Sequence, residues 1–209
     1  GLVDLGEPMT RRYNQGISLG EDGEKMSKSR GNVIAPDTLV ERYGADTVRL
    51  YLMFIGPWDQ GGPWSSSGIE GVARFVNRLW GMILEPREMG AVDAAAERSL
   101  LRRLHQTIRD VSEDLEGFRF NTAVAELMKL NNDLLKAKEA GLYGTPVWNE
   151  AVQVFVLLLA PLAPHLAEEL WGRLGQPYSV HEQAWPSYDS ALAAEDVIEV
   201  PVQVNGKVR

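Results

Sequence analysis

The chain has 209 residues, a formal net charge of -8 and no cysteine, and 44% of its residues are hydrophobic. This length and hydrophobic share allow one large domain or two small ones with a buried core. The acidic balance excludes a protein whose whole surface binds nucleic-acid phosphates, although a local basic stripe is compatible with it. The lack of cysteine excludes disulfides and thiolate zinc sites, and we expect a cytoplasmic location.

The longest apolar run, residues 154–162, is well short of the roughly 20 residues that a membrane span needs. It predicts a buried helix, and no membrane partner is expected. The chain begins at Gly1 without a signal-peptide pattern. Its end, residues 200–209, predicts one strand, an Asn205-Gly206 turn and the opening of a second strand. Both ends predict that the chain is a fragment.

The first 35 residues predict a strand near 16–19, a tight turn at Asp22-Gly23 and an exposed loop. From Pro36 the pattern becomes helical, and Gly44 interrupts it. Residues 56–64 contain two prolines and three glycines, so we expect no regular element there. We place a domain boundary between residues 56 and 57.

Residues 67–175 predict helices separated by short breakers. One apolar face between 94 and 116 repeats at alternating spacings of three and four residues. Its members are Leu101, Leu104, Ile108, Val111 and Leu115. The next helix is expected to run from the capping residues Asn121 and Thr122 to Gly141, with two more over 146–160 and 165–174. Short links between amphipathic helices predict a helical bundle, so the fold class is mainly α.

A cationic loop precedes these helices. Lys25, Lys28 and Arg30 lie within six residues, and the hydroxyls of Ser27 and Ser29 lie between them. Lysine provides a point charge for phosphate oxygens, serine provides a small donor, and neighbouring glycines allow the backbone to approach closely. The composition is typical of a phosphate-binding loop, although composition alone favours a solvated turn.

The string Lys-Met-Ser-Lys-Ser at residues 25–29 resembles the signature loop of class I aminoacyl-tRNA synthetases, and residues 31–36 follow in that family's order. Residues 43–50 resemble a helix shared by the leucyl, isoleucyl and valyl enzymes. Four later strings favour the leucyl type. They are residues 68–80, 119–123, 159–171 and 202–209. The resemblance covers essentially the whole chain.

This resemblance implies ATP-dependent activation of leucine and its transfer to tRNA(Leu), with Mg²⁺ carried on the ATP phosphates. It implies that Lys28 and Lys25 are catalytic cations. Lys28 contacts ATP and stabilises its phosphates, while Lys25, Met26, Ser27 and Ser29 shape the mobile ATP-binding loop around them. The full-length enzyme is expected to be a monomer. An isoleucyl or valyl enzyme, or a non-catalytic tRNA-binding module, remains an alternative.

The resemblance divides the chain into three parts. Residues 1–56 would be the end of the catalytic domain with the Lys-Met-Ser-Lys-Ser loop, and 57–190 a helical bundle of the class I anticodon-binding type. Residues 191–209 would begin a small α+β domain that is truncated. The second ATP signature of the family, a His-Ile-Gly-His string, is missing from the chain, as is the editing domain. The leucine pocket would lie mostly outside this piece, and the chain alone is predicted to be inactive.

Two weaker patterns have less specific meanings. Arg98, Arg102 and Arg109 share one helix face with His105, and this basic stripe would suit a tRNA backbone or a solvated helix surface equally well. Residues 165–169 contain one histidine and two glutamates, but no third ligand shares their face, so no protein-bound metal is predicted.

Overall fold

The computed structural model describes residues 4, 6, 9, 11–88, 90, 91 and 93–194, together with the backbone of two short strands near the carboxyl end. The helices are α1 (Pro36–Tyr43), α2 (Ala45–Phe54), α3 (Ser66–Leu84), α4 (Ala94–Glu116), α5 (Phe120–Glu139), α6 (Pro146–Leu159), α7 (Pro164–Arg173) and α8 (Ser190–Ala193). The strands are β1 (Ile17–Leu19), β2 (Gly61–Pro63), β3 (Gln203–Val204) and β4 (Lys207–Val208). The predicted mainly helical class is confirmed.

Side-chain caps and prolines fix where the long helices begin. The hydroxyl of Ser65 accepts a hydrogen bond from the backbone N–H of Gly68 at the start of α3. Asp93 caps α4 in the same way. Pro146 and Pro164 occupy the first positions of α6 and α7, where a missing N–H costs no helical hydrogen bond.

The helices α3 to α7 surround one apolar core, and α2 packs against α3, α5 and α7. The largest side chains in this core are almost completely inaccessible to solvent. They include Leu50, Phe75, Leu79, Leu104, Ile108, Leu127, Leu130, Leu134 and Phe155. The residues that follow the loop of 25–29 are therefore continuous with the bundle core. No helix in the described part of the chain is long and apolar enough to cross a membrane.

Two details of the predicted helices were wrong. In α4, Leu100 is buried and Leu101 is only half-buried, because the centre of the buried face passes through Leu100, Leu104, Thr107 and Val111, and Leu101 lies at its edge. The helix α5 begins at Phe120 instead of after the predicted caps. The hydroxyl of Thr122 donates to the carbonyl of Arg119, so it does not accept from the helix N–H groups as a cap would.

The glycine-rich segment after α2 was wrongly expected to hold no regular element. Its residues 61–63 form β2, which pairs in parallel with β1, so that Ile17 faces Gly61 and Leu19 faces Pro63. Gly61 has a φ of 71°, and a Cβ there would lie 2.4 Å from the carbonyl oxygen of Ile17. The glycines make this close pairing possible.

Near the carboxyl end, β3 and β4 pair in antiparallel fashion, with Gln203 opposite Val208 and Val204 opposite Lys207. The two predicted strands are therefore confirmed. The predicted Asn205-Gly206 turn between them lies outside the described residues.

Candidate functional site

The cationic loop projects from a tight hairpin at the end of β1. The backbone N–H of Gly20 donates to the carbonyl of Glu24 over 2.8 Å, and Gly23, with a φ of 74°, closes the turn. A bridge between Leu19 and Lys25 carries the pairing to the first residue of the loop. The position of Lys25 is therefore set by the hairpin.

Met26 is the apolar anchor of the loop. Its side chain is partly buried against the main core and lines a cavity of about 210 Å³ with Ile34, Leu39, Val48 and Trp64. The lysines on either side of Met26 in the loop, at positions 25 and 28, are exposed. One methionine thus holds the loop on the protein while the charges remain accessible.

The three cations of the loop have different surroundings. Arg30 forms an ion pair of 2.7 Å with Glu24, so its charge is compensated locally. Among the described residues, neither Lys25 nor Lys28 forms an ion pair. These two ammonium groups are the ones available to an anionic ligand.

Asn32 holds the two ends of the loop together. Its side-chain oxygen accepts the backbone N–H of Ser27 over 2.8 Å, and its amide nitrogen donates to Asp22 over 3.1 Å. The hydroxyls of Ser27 and Ser29 lie 2.8 Å apart and form one hydrogen bond. No role for Asn32 was predicted from the sequence, although it lies in the string of residues 31–36 that carries part of the family resemblance.

A single 3₁₀ turn over Lys28–Arg30 shapes the second half of the loop. It ends at Gly31, which has a φ of 70° and donates its N–H to the carbonyl of Lys28 over 3.3 Å. A residue with a side chain is strained at this φ, so glycine favours the turn that presents Lys28 to solvent.

Two side chains of α2 attach the loop-bearing segment to the bundle. Asp46 is buried, and its carboxylate accepts the backbone N–H of Leu166 over 2.6 Å and lies 3.0 Å from Nδ1 of His165. Arg49 donates to the carbonyls of Leu162 and Pro161. The strings around 43–50 and 159–171, which are far apart in the sequence, are therefore in direct contact.

The histidine and glutamates of α7 have different roles from one another. Glu168 accepts hydrogen bonds from the hydroxyl of Ser179 and the backbone N–H of Val180. Glu169 pairs with Arg173 over 2.7 Å, one helical turn away. In the part of the chain that the structure describes, no group of three potential metal ligands comes together.

The residues of the predicted basic stripe on α4 have different surroundings in the structure. Arg98 is exposed, whereas Arg109 donates to Asp110 over 2.8 Å, and this hydrogen bond raises the pKa of Arg109. His105 accepts the backbone N–H of Asp189, which brings the segment before α8 onto the stripe. Arg102 lines a cleft of about 350 Å³ between α4 and α5.

Two family models match the chain. One, described as "Anticodon-binding domain of tRNA ligase", matches residues 97–209. The other, described as "tRNA synthetases class I (I, L, M and V)", matches residues 4–60 and so includes the cationic loop.

Two relatives that match over the whole chain carry the same name. The chain is 57% identical over 210 residues to a leucine–tRNA ligase of Herpetosiphon aurantiacus and 48% identical over 209 residues to one of Deinococcus radiodurans. It is covered completely in both matches, but it spans only 26% and 25% of the length of these two relatives.

Solved structures share the fold. A crystal structure of the ternary complex of Agrobacterium radiobacter K84 agnB2 LeuRS-tRNA-LeuAMS matches the whole chain over 28% of the LeuRS chain, with a TM-score of 0.81 and 32% sequence identity. A Mycobacterium tuberculosis methionyl-tRNA synthetase in complex with methionyl-adenylate matches 77% of this chain and 38% of the synthetase chain, with a TM-score of 0.59 and 23% sequence identity. This likeness concerns the fold alone. The chain therefore belongs to the tRNA ligases, in the family defined by their anticodon-binding domain.

Proposed function

We propose that this chain supplies the ATP-phosphate loop and the tRNA-binding bundle of a leucine–tRNA ligase. The observation that carries the proposal is the loop itself, in which Lys25 and Lys28 are exposed and without ion pairs among the described residues. Met26 and Asn32 fix the loop from which they project. The name shared by the relatives supports leucine as the amino acid.

In the first step, the leucine carboxylate attacks the α-phosphorus of ATP, and the bond to pyrophosphate breaks. Negative charge increases on the departing pyrophosphate as leucyl adenylate forms. Lys28 would bind these oxygens and Lys25 would support it, because cations held in place ahead of the reaction stabilise charge that develops in the transition state. Ser27 and Ser29 would shape the loop, and Mg²⁺ would arrive on the ATP phosphates.

In the second step, the leucyl group passes from the adenylate to tRNA(Leu). We assign the tRNA contact to the bundle, with Arg98 as the exposed member of the α4 stripe, Arg102 beside it and Arg109 as a weaker contributor. The match of residues 97–209 to an anticodon-binding domain supports this assignment. Whole-protein activity requires the remaining sequence, since the chain spans about a quarter of its relatives.

We propose that the chain consists of the end of a catalytic domain at 1–56, a helical bundle at 57–190 and the start of a small domain at 191–209. The two family matches, 4–60 and 97–209, support separate first and second parts. The β1–β2 pair crosses the first boundary, so the two parts would share a short sheet. We further propose a monomeric cytoplasmic enzyme, in keeping with the family resemblance and the cysteine-free sequence.

The test is amino-acid-dependent exchange of pyrophosphate into ATP by a full-length ligase that carries this sequence. Leucine should support exchange, while isoleucine and valine should not. Exchange that depends on isoleucine or valine would show that this amino acid, and not leucine, is the substrate. Binding of tRNA without exchange by any of the three would favour the non-catalytic module. The 209-residue chain alone should show no exchange.

A further inference from the structure

The tip of the loop hairpin touches the beginning of the bundle. The carboxylate of Glu21 accepts the backbone N–H of Ser66, the first residue of α3, over 2.9 Å. The first N–H groups of a helix have no partner within the helix. Glu21 supplies an acceptor for one of them from a part of the chain 45 residues away.

Glu21 makes this contact as a charged carboxylate. Hydrogen bonds from the hydroxyl and the backbone N–H of Ser66 lower the pKa of Glu21. The positive end of the α3 dipole also favours an anion at this position. Glu21 is exposed, so its side chain is held by these partners and is not packed in the core.

The anchor on the bundle side is rigid. Ser65, directly before α3, donates its backbone N–H to the hydroxyl of Tyr51 over 2.7 Å, and Tyr51 is buried in the core. The hydroxyl of Ser65 also caps α3 through Gly68. Ser66 therefore presents its N–H from a fixed position.

The loop side is connected just as directly. Asp22, the neighbour of Glu21, accepts hydrogen bonds from the backbone N–H of Glu24 and from the side chain of Asn32. The bridge between Leu19 and Lys25 then leads into the loop. A displacement of the hairpin tip would therefore move the lysines.

We infer that Glu21 is a positioning residue, which holds the hairpin tip on the start of α3 and so fixes Lys25 and Lys28 relative to the bundle. This inference rests on the proposed function only for its effect on ATP. The mechanical part, that Glu21 restrains the loop, stands on the contacts described above.

The chain offers a matched pair of variants, because proline has neither the backbone N–H nor the hydroxyl that Ser66 offers to Glu21. Ser66→Pro removes this N–H at the first position of a helix, where proline is favoured. Ser65 has φ -140° and ψ 116°, an extended conformation that is compatible with a following proline. Glu21→Ala removes the acceptor. Glu41→Gln, on the exposed side of α1, is the control.

The first readout is trypsin cleavage after Lys25, Lys28 and Arg30 in the 209-residue chain. Glu21→Ala and Ser66→Pro should each accelerate this cleavage about fivefold, as expected for the loss of one solvent-exposed hydrogen bond, while Glu41→Gln should not. The double variant should be no faster than either single one, because both remove the same contact. Unchanged melting temperatures would show that α3 itself remains intact. Wild-type cleavage rates in both single variants would overturn the inference.

The second readout is the KM for ATP in leucine-dependent pyrophosphate exchange by a full-length ligase carrying this sequence. Both variants should raise it by about fivefold, whereas the KM for leucine should stay within about twofold. If the wild-type protein shows no exchange, the proposed function fails and the cleavage result still decides the restraint. A normal KM for ATP in both variants would overturn the positioning role.

Discussion

The carboxylate of Asp46 lies 2.6 Å from the backbone nitrogen of Leu166, so a residue of α2 caps the beginning of α7. The two residues are 120 positions apart in the sequence. Asp46 is buried, with 8% of its surface exposed, and its second oxygen lies 3.0 Å from His165. The contact joins the segment that carries the cationic loop to the far end of the bundle.

Replacing Asp46 should therefore destabilise the whole chain. We expect Asp46→Asn to lower the free energy of unfolding by about 1–2 kcal/mol, because the amide keeps the shape but loses a charge-assisted hydrogen bond. Urea denaturation of the 209-residue chain measures this difference. Asp59→Asn, at an exposed position after α2, is the control and should change stability by less than about 0.5 kcal/mol. Equal stabilities for both variants would contradict the role of Asp46 as a cap.

Lys138 should be as important as Asp46 for stability, and it acts at the carboxyl end of α3. Its ammonium group donates to the carbonyl of Met82 over 2.8 Å, and also to the carbonyls of Gly81 and Glu85. Burial lowers the pKa of Lys138, and these carbonyls compensate for the loss of water. Lys138→Met should cost about 2 kcal/mol in thermal or chemical unfolding, since buried carbonyls lose their donor.

Lys136 provides the comparison on the same helix. It pairs with Asp133 over 3.1 Å, but its side chain is 76% exposed, and exposed ion pairs contribute little to stability. Lys136→Met should therefore cost less than about 0.5 kcal/mol. A cost for Lys136→Met as large as that for Lys138→Met would show that the loss of a positive charge is responsible, and not the loss of the hydrogen bonds from Lys138 to the carbonyls.

Asn32 should control the protection of the loop backbone. Asn32→Ala removes the acceptor of the Ser27 N–H, so hydrogen exchange at that amide should become about tenfold faster through easier local opening. Asn149→Ala, far along the chain in α6, should leave the Ser27 amide unchanged. A Ser27 amide that exchanges at the same rate in Asn32→Ala would mean that another group protects it.

The predictability of these features follows from how far apart their partners lie. Most helices could be predicted from the spacing of apolar residues and from local start signals such as Pro146, because both signals lie within one element. The pairing of β1 with β2 could not, because glycines that usually break structure here allow two backbones to approach. An ATP-binding role for Lys25 and Lys28 could be predicted from their string, and it stays a prediction. The contacts of Glu21 and Asp46 could not, because each depends on the fold to bring in a distant backbone N–H.

The basic stripe of α4 makes a separate prediction about tRNA. Changing Arg98, Arg102 and Arg109 together to Gln should weaken tRNA binding and reduce the slope of log affinity against log salt by roughly 1 for each phosphate that is no longer neutralised. Arg109→Gln alone should have a smaller effect than Arg98→Gln, because Asp110 already pairs with Arg109. Filter binding at several salt concentrations measures both, with Arg173→Gln on α7 as the control. An unchanged slope in the triple variant would rule out the stripe as a tRNA contact.

The most direct test of the assignment of Lys28 to the ATP phosphates is leucine-dependent pyrophosphate exchange by a full-length ligase carrying this sequence with Lys28→Ala. The exposed ammonium group is assigned to the departing pyrophosphate, so its loss should lower the exchange rate by roughly 10² to 10³-fold. Arg30→Ala should have a much smaller effect, because Glu24 already compensates that charge. A Lys28→Ala enzyme that exchanges pyrophosphate at the wild-type rate would contradict the assignment of this loop to ATP.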